Sequence, residues 1–219
     1  MDKKLPLSLK NFVLNVSKRL ILHPDIPATP GLMSGNSGIS IFLFYLAGFL
    51  EDQDLYDHAA YRLQKATDSL NSGIRDISFA NGIAGIAWSI THLERKGYIR
   101  EKYEKQKDQL DQLMQEIVHE NIKHSDFELL YGYTGAGLYF LEKEKDQYAK
   151  ETIKLILDHL ISKIDFKTKS PGIAHGIAGP VLFCVKCIEK DIEIDRAKKV
   201  LQAFVPEIFN IFSHNFYNS

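Results

Sequence analysis

The sequence predicts an all-α protein, an (α/α) barrel or toroid of helical hairpins whose inner helices begin at Gly-rich turns. Three observations support this. A Gly-x-x-Gly pattern recurs four times at a nearly constant interval, and a run almost free of charge follows each copy. Between these runs lie charged segments with apolar residues at helical spacing, EKYEKQKDQLDQLMQEIVHENIK (101–123) and QYAKETIKLILDHLISKID (147–165), which is typical of surface helices.

The repeated segments are GLMSGNSG (31–38), SFANGIAG (78–85), ELLYGYTG (128–135) and GIAHGIAG (172–179). The first Gly of each Gly-x-x-Gly stands at position 35, 82, 132 or 176, so the intervals are 47 (35 to 82), 50 (82 to 132) and 44 (132 to 176) residues. A period of this length fits one helical hairpin per repeat. Tetratricopeptide and ankyrin repeats are shorter and carry other signatures, so they fit poorly.

Each apolar run is predicted to be a buried inner helix, because a helix that is apolar on most faces is covered on most faces. The runs are ISIFLFYLAGFL (39–50), IAWSI (86–90), AGLYFL (136–141) and PVLFCVKCI (180–188). With an outer helix near 7–22 and a last one near 194–216, the chain contains four hairpins and one extra outer helix. Four hairpins form an arc and leave the ring incomplete, within one domain over residues 1–219.

The composition excludes several classes of protein. A length of 219 residues with 45% apolar and 25% charged residues describes an ordinary globular chain. A net charge of −1 gives no overall electrostatic attraction to nucleic acid or to an anionic membrane. The N-terminus has no secretory signal pattern, and the 12-residue run at 39–50 is too short to cross a bilayer. With only two cysteines, a cytoplasmic location is expected.

Taken together, these segments resemble the lanthionine synthetase C family, over roughly residues 28–190. The most specific part is GIAHGIAG, with the histidine in its characteristic place. Members of that family carry seven such hairpins and add a cysteine thiol to a dehydroamino acid of a precursor peptide. The resemblance implies a zinc ion, held by two Cys and one His in later repeats, that activates the thiol. It also implies a general acid that protonates the resulting enolate.

The residue before the first Gly of each repeat is predicted to face the same end of the arc, and these four are Ser34, Asn81, Tyr131 and His175. His175 matches the family's active-site histidine, and Ser34, Asn81 and Tyr131 are expected in the substrate pocket. Tyr131 either contributes a hydroxyl group there or packs as an aromatic side chain, and the pattern favours packing. Glu128 stands where the family carries a carboxylate. Either it orients His175 or transfers a proton, or it is a solvated carboxylate at a helix start.

No metal ligands are assigned, because the sequence contains no Cys-His pair and no Cys-Tyr-Gly segment. Cys184 and Cys187 lie inside an apolar run, which favours two buried small hydrophobic residues over a metal or redox site. Zinc is therefore expected only in a complete family member. The partners expected are a precursor peptide and either a complementing C-terminal half or a second copy.

Three functions stay open at this stage. The first is an incomplete thioether cyclase that is inactive alone. The second is a non-catalytic module that binds a peptide or protein. The third and weakest is a glycan-active toroid that uses Asp126 and Glu128 as paired carboxylates.

Overall fold

The computed structural model of the chain describes residues 6–26, 29–100, 103–122, 126–143, 146–164 and 170–217. Over these ranges the chain folds into α-helices joined by turns and short 3₁₀ helices, without a strand. The helices are α1 (Leu7–Leu22), α2 (Asn36–Leu50), α3 (Gln53–Asp68), α4 (Ile83–Arg95), α5 (Glu104–Asn121), α6 (Tyr133–Phe140), α7 (Gln147–Ser162), α8 (Ala178–Glu189) and α9 (Ile194–Tyr217).

The helices form two layers. Helices α2, α4, α6 and α8 lie side by side in the inner layer, and each packs against the helix that follows it in the chain. The hairpins are therefore α2–α3, α4–α5, α6–α7 and α8–α9, with α1 as an additional helix before the first. This arrangement confirms the predicted all-α fold with Gly-rich inner-helix starts. Of the described helices, none combines the length and the apolar character needed to cross a membrane.

The core lies between the two layers, and the sequence pattern explains which faces it buries. Inner helix α4 buries side chains around most of its circumference, from Ile83 to Leu93. Outer helix α7 instead buries one stripe with helical spacing, at positions 153, 156, 157 and 160. Removing this apolar surface from water is the main stabilising contribution to the fold.

The third inner helix, α6, is the shortest of the four inner helices. Helix α6 spans eight residues and continues as a 3₁₀ turn, Leu141–Lys143. Its Gly137 lies against the ring of Phe183 on α8, where an added Cβ would stand 2.6 Å from a ring carbon. The absence of a side chain at Gly137 therefore allows α6 and α8 to pack closely.

Helix α1 is attached to the first hairpin through the buried guanidinium of Arg62 on α3. This side chain donates hydrogen bonds to the carbonyl oxygens of Leu20 (2.6 Å), His23 (3.0 Å) and Ile26 (3.2 Å). It also donates to Oδ1 of Asn36 at 2.8 Å. Carbonyl groups at a helix end lack partners within the helix, so a buried cation satisfies the end of α1 and fixes the start of α2.

Candidate functional site

The four Gly-rich segments share one backbone hydrogen bond, and we name them loop 1 (31–38), loop 2 (78–85), loop 3 (128–135) and loop 4 (172–179). In each, the residue after the first Gly donates its N–H to the carbonyl seven residues earlier. These bonds are Asn36 to Thr29 (2.9 Å), Ile83 to Asp76 (2.8 Å), Tyr133 to Asp126 (3.3 Å) and Ile177 to Ser170 (3.3 Å). The loops are therefore tight turns of the same kind, and each leads directly into an inner helix.

The loops lie beside one another at one end of the arc, joined by backbone hydrogen bonds between equivalent residues. Met33 donates to the carbonyl of Ala80 (2.8 Å), Ala80 to that of Leu130 (2.9 Å), and Leu130 to that of Ala174 (3.3 Å). The four residues occupy the same position in their loops, two before the first Gly. This hydrogen-bond ladder places the starts of the inner helices together.

The position of the second Gly in each Gly-x-x-Gly must lack a side chain, because a backbone carbonyl of the same loop lies where a Cβ atom would stand. At Gly135, an added Cβ would stand 2.3 Å from the carbonyl oxygen of Leu129 and 2.5 Å from Cβ of Phe79 in loop 2. Both distances are shorter than real Cβ contacts allow. The Gly-x-x-Gly pattern is therefore explained by packing within a loop and between neighbouring loops.

The residues before the first Gly meet in two pairs. In loops 1 and 2, the hydroxyl of Ser34 donates a hydrogen bond to Oδ1 of Asn81 at 3.0 Å. In loops 3 and 4, the rings of Tyr131 and His175 are stacked, with centroids 5.6 Å apart and planes 9° apart. Tyr131 is 52% exposed, so it packs on the His175 ring at the surface and not within the core.

Glu128 and His175 form a bonded pair between loops 3 and 4. Nδ1 of His175 lies 2.8 Å from Oε2 of Glu128. Because a carboxylate only accepts hydrogen bonds, the Nδ1 atom is assigned the proton, which leaves Nε2 free to exchange one. The side chain of Glu128 is 12% exposed, whereas that of His175 is 58% exposed. A fixed carboxylate thus orients a ring that a ligand can reach.

The comparisons with known proteins agree with the helical-hairpin fold. The family model for lanthionine synthetase C-like proteins matches residues 27–218. The chain belongs to the lanthionine synthetase C-like family. The solved structure of nisin cyclase matches it with a TM-score of 0.75 at 20% sequence identity, over 95% of this chain and 58% of that chain. This likeness shows the shared fold. No curated protein sequence matches the chain significantly.

The zinc site that the family resemblance implies does not fit the described residues. Among them, no group of three or more His, Cys, Asp or Glu side chains is placed to hold a metal ion. Cys184 and Cys187 are fully buried, and burial raises the pKa of the Cys184 thiol to about 12. The two cysteines pack in the core as small hydrophobic residues, as the sequence pattern favoured.

The arrangement of Asp126 and Glu128 gives no observation in favour of a glycan-active site. Both belong to one short segment, Asp126 accepts the N–H of Phe127 at 2.7 Å, and Glu128 is bonded to His175. A pair of glycosidase carboxylates flanks the scissile bond from two sides.

One contact was missed by sequence reasoning: the apolar residue three positions before the first Gly of loops 1 to 3 packs on the second Gly of the next loop.

Proposed function

We propose that this chain is the histidine-bearing part of a peptide-modifying thioether cyclase and is inactive until zinc-bearing repeats complete it. The Glu128–His175 pair is the observation that carries the proposal, because it supplies an oriented and accessible proton donor beside Tyr131. The chain spans 58% of the nisin cyclase chain, a share close to the four-sevenths expected from four of seven hairpins.

In the proposed reaction, a cysteine thiolate of the peptide adds to the β-carbon of a dehydroalanine or dehydrobutyrine. The electron pair of the double bond moves to form an enolate. His175, protonated on both nitrogens, transfers its Nε2 proton to the α-carbon and returns to the neutral Nδ1–H form that Glu128 holds. General acid catalysis of this kind contributes roughly 10²- to 10⁴-fold to a rate. Zinc, when bound by the complete protein, would bind the peptide thiol and lower its pKa, so that thiolate is available near neutral pH.

The substrate pocket is proposed to follow the row of loops. His175 and Tyr131 lie at one end, and the hydrogen-bonded Ser34 and Asn81 lie at the other. Backbone and side-chain polar groups in such a row offer hydrogen bonds to an extended peptide. A peptide, rather than nucleic acid, is the partner proposed, and the cytoplasm is the proposed location.

The test is ring formation by the chain combined with the zinc-bearing repeats encoded in its own or a neighbouring reading frame. Ring closure consumes a free thiol without a change in mass, so the product is counted by loss of iodoacetamide adducts in mass spectrometry. We expect thiol loss only with both parts present, and a rate roughly 10²- to 10⁴-fold lower for His175→Ala. His119→Ala, an exposed histidine on α5, is the control. Equal rates for His175→Ala and the wild type would contradict the proposal.

A non-catalytic peptide-binding module is the second candidate. It is favoured by the lack of a metal-binding group among the described side chains together with the exposed ring of His175. It predicts that a precursor peptide binds the chelator-treated chain, as measured by calorimetry, and that no thiol is consumed when the zinc-bearing repeats are added. Thiol consumption in that mixture would exclude it.

A further inference from the structure

The reaction proposed for this site creates negative charge on an oxygen atom. Addition of the thiolate to the β-carbon gives an enolate, whose charge collects on the carbonyl oxygen of the former dehydroamino acid. Hydrogen-bond donors aimed at such an oxygen are a large source of catalysis. His175 does not serve there at the same time, because its Nε2 proton goes to the α-carbon and its Nδ1 is bonded to Glu128. A second donor beside the ring would therefore stabilise the intermediate.

Loops 3 and 4 contain few side chains that could be this donor. Neither loop contains a lysine or an arginine. The hydroxyl-bearing side chain of Tyr133 is buried and donates to the carbonyl of Ile117. That of Thr134 is also buried and donates to the carbonyl of Phe127. The remaining hydroxyl of the two loops belongs to Tyr131.

The hydroxyl of Tyr131 is available to a ligand. Ser34 and Asn81, at the same position of loops 1 and 2, are hydrogen-bonded to each other. Tyr131 is instead 52% exposed, and in the described part of the chain no group is hydrogen-bonded to its hydroxyl. It directly precedes Gly132, the N-cap of α6, and the positive end of a helix dipole favours negative charge nearby.

The stack of Tyr131 on His175 brings this hydroxyl and the proton donor to one place. The ring centroids are 5.6 Å apart and the planes differ by 9°, which is an offset stack. The side chain of His175 is also exposed, by 58%. An enolate is planar, and a single carbon atom separates its α-carbon from its oxygen. One such group can therefore contact the imidazole through its α-carbon and the phenol through its oxygen.

We propose that Tyr131 is a second catalytic residue, whose hydroxyl donates a hydrogen bond to the enolate oxygen while Nε2 of His175 protonates the α-carbon. This inference rests on the proposed function of the site. Tyr131 keeps its proton: the new C–H bond takes its proton from His175 and its electron pair from the enolate, and the carbonyl group re-forms. Because the oxygen is most negative near the transition state, the hydrogen bond raises kcat more than the affinity for the peptide.

Tyr131→Phe tests the hydroxyl by itself, since it removes one oxygen atom and keeps the stacked ring. In the chain completed by zinc-bearing repeats, we expect kcat for thiol loss to fall roughly 10²- to 10³-fold, as for the removal of one oxyanion donor. KM should change by less than about twofold. The nitrogen-15 spectrum of the His175 ring should match that of the wild type, because Glu128 still holds Nδ1. Tyr148→Phe, at a 67% exposed position on α7, is the control and should keep the wild-type kcat.

Tyr131→Leu distinguishes this role from one in which Tyr131 only positions the His175 ring. Under the proposal, Tyr131→Phe and Tyr131→Leu are both slow. If only Tyr131→Leu is slow and its ring spectrum changes, Tyr131 is a positioning residue and the proposal is overturned. A wild-type kcat in Tyr131→Phe together with a slow His175→Ala overturns this inference and leaves the proposed function standing. A completed wild type that consumes no thiol overturns both.

Discussion

His175 and Glu128 are 47 residues apart in the chain, yet Nδ1 of the one lies 2.8 Å from Oε2 of the other. The bond crosses from loop 3 to loop 4, and the parallel starts of α6 and α8 hold its two ends. Because the carboxylate is mostly buried and the ring mostly exposed, Glu128 is placed to fix the ring without blocking its reactive edge.

In Glu128→Gln, the side chain at position 128 should no longer hold the His175 ring in the Nδ1–H form. The amide can donate as well as accept, so the Nδ1–H form loses its preference. Nitrogen-15 NMR of the His175 ring in the chain alone should show a shift from the Nδ1–H form towards a mixture of tautomers. In the completed enzyme, the rate should fall by part of the roughly 10²- to 10⁴-fold due to general acid catalysis.

The matched control is Asp126→Asn, a carboxylate two residues away that contacts the backbone and not His175. It should leave both the ring spectrum and the rate of the completed enzyme near those of the wild type. An unchanged tautomer in Glu128→Gln would contradict the assigned role of Glu128.

The thiols of Cys184 and Cys187 are expected to be unreactive in the folded chain. Burial raises the pKa of Cys184 to about 12 and raises that of Cys187 as well. At pH 8 a thiol with a pKa near 12 is about 10⁻⁴ thiolate, so reaction with a disulfide reagent should be roughly 10³-fold slower than for an ordinary cysteine. Both thiols should react fully in denaturant, and rapid reaction of the native chain would contradict their burial.

Much of the fold could be predicted because its signals are local and repeated. The period of Gly-x-x-Gly sets the hairpins, and the uncharged runs identify the inner helices. Ser34 contacts Asn81, and Tyr131 contacts His175. The backbone ladder places the loops that carry these residues side by side. Exposure of Tyr131 was not predictable, since it depends on what the neighbouring loops leave uncovered.

Other features depend on partners that are distant in the sequence. The sequence shows an apolar residue three positions before the first Gly of every loop: Leu32, Phe79, Leu129 and Ile173. That such a residue packs on the second Gly of the next loop is seen only in the structure. The burial of Arg62 could not be predicted from the sequence. On an amphipathic outer helix a charged residue is usually solvated, and only the end of α1 explains its burial.

His92 is expected to be neutral at pH 7 and to become charged only below its ordinary pKa. Burial lowers its pKa, and Arg95 and Lys96 lower it further, against a smaller opposite effect of Glu142. The ring stacks on Trp88, with centroids 4.7 Å apart. Trp88 is the single tryptophan of the chain, and a protonated imidazole quenches indole fluorescence. The fluorescence should therefore fall in acid with a midpoint below pH 6.5.

The same shift predicts how stability depends on pH. A lowered pKa means that the unfolded chain binds the proton more readily. The contribution of His92 to stability is therefore present above about pH 6.5 and is lost as the pH falls through the folded pKa. His92→Gln keeps a polar group beside Tyr45 and should show no fluorescence transition and a smaller loss of stability in acid. A transition of unchanged size in this variant would assign it to another group.

Arg62→Met tests whether the buried guanidinium holds α1 on the first hairpin. The substitution keeps most of the apolar volume but removes the donors to Leu20, His23, Ile26 and Asn36. Unpaired buried acceptors are costly, so the free energy of unfolding in urea should fall by about 2–4 kcal/mol.

Arg75→Met is the control, because the ion pair of Arg75 with Glu120 is exposed on both sides and should be worth less than about 1 kcal/mol. Hydrogen exchange adds a local measurement. In Arg62→Met the amides of α1 should exchange faster, whereas those of α7 should change only in proportion to the global loss of stability. Equal losses of stability in the two variants would show that Arg62 does not fix α1, since burial distinguishes it from Arg75.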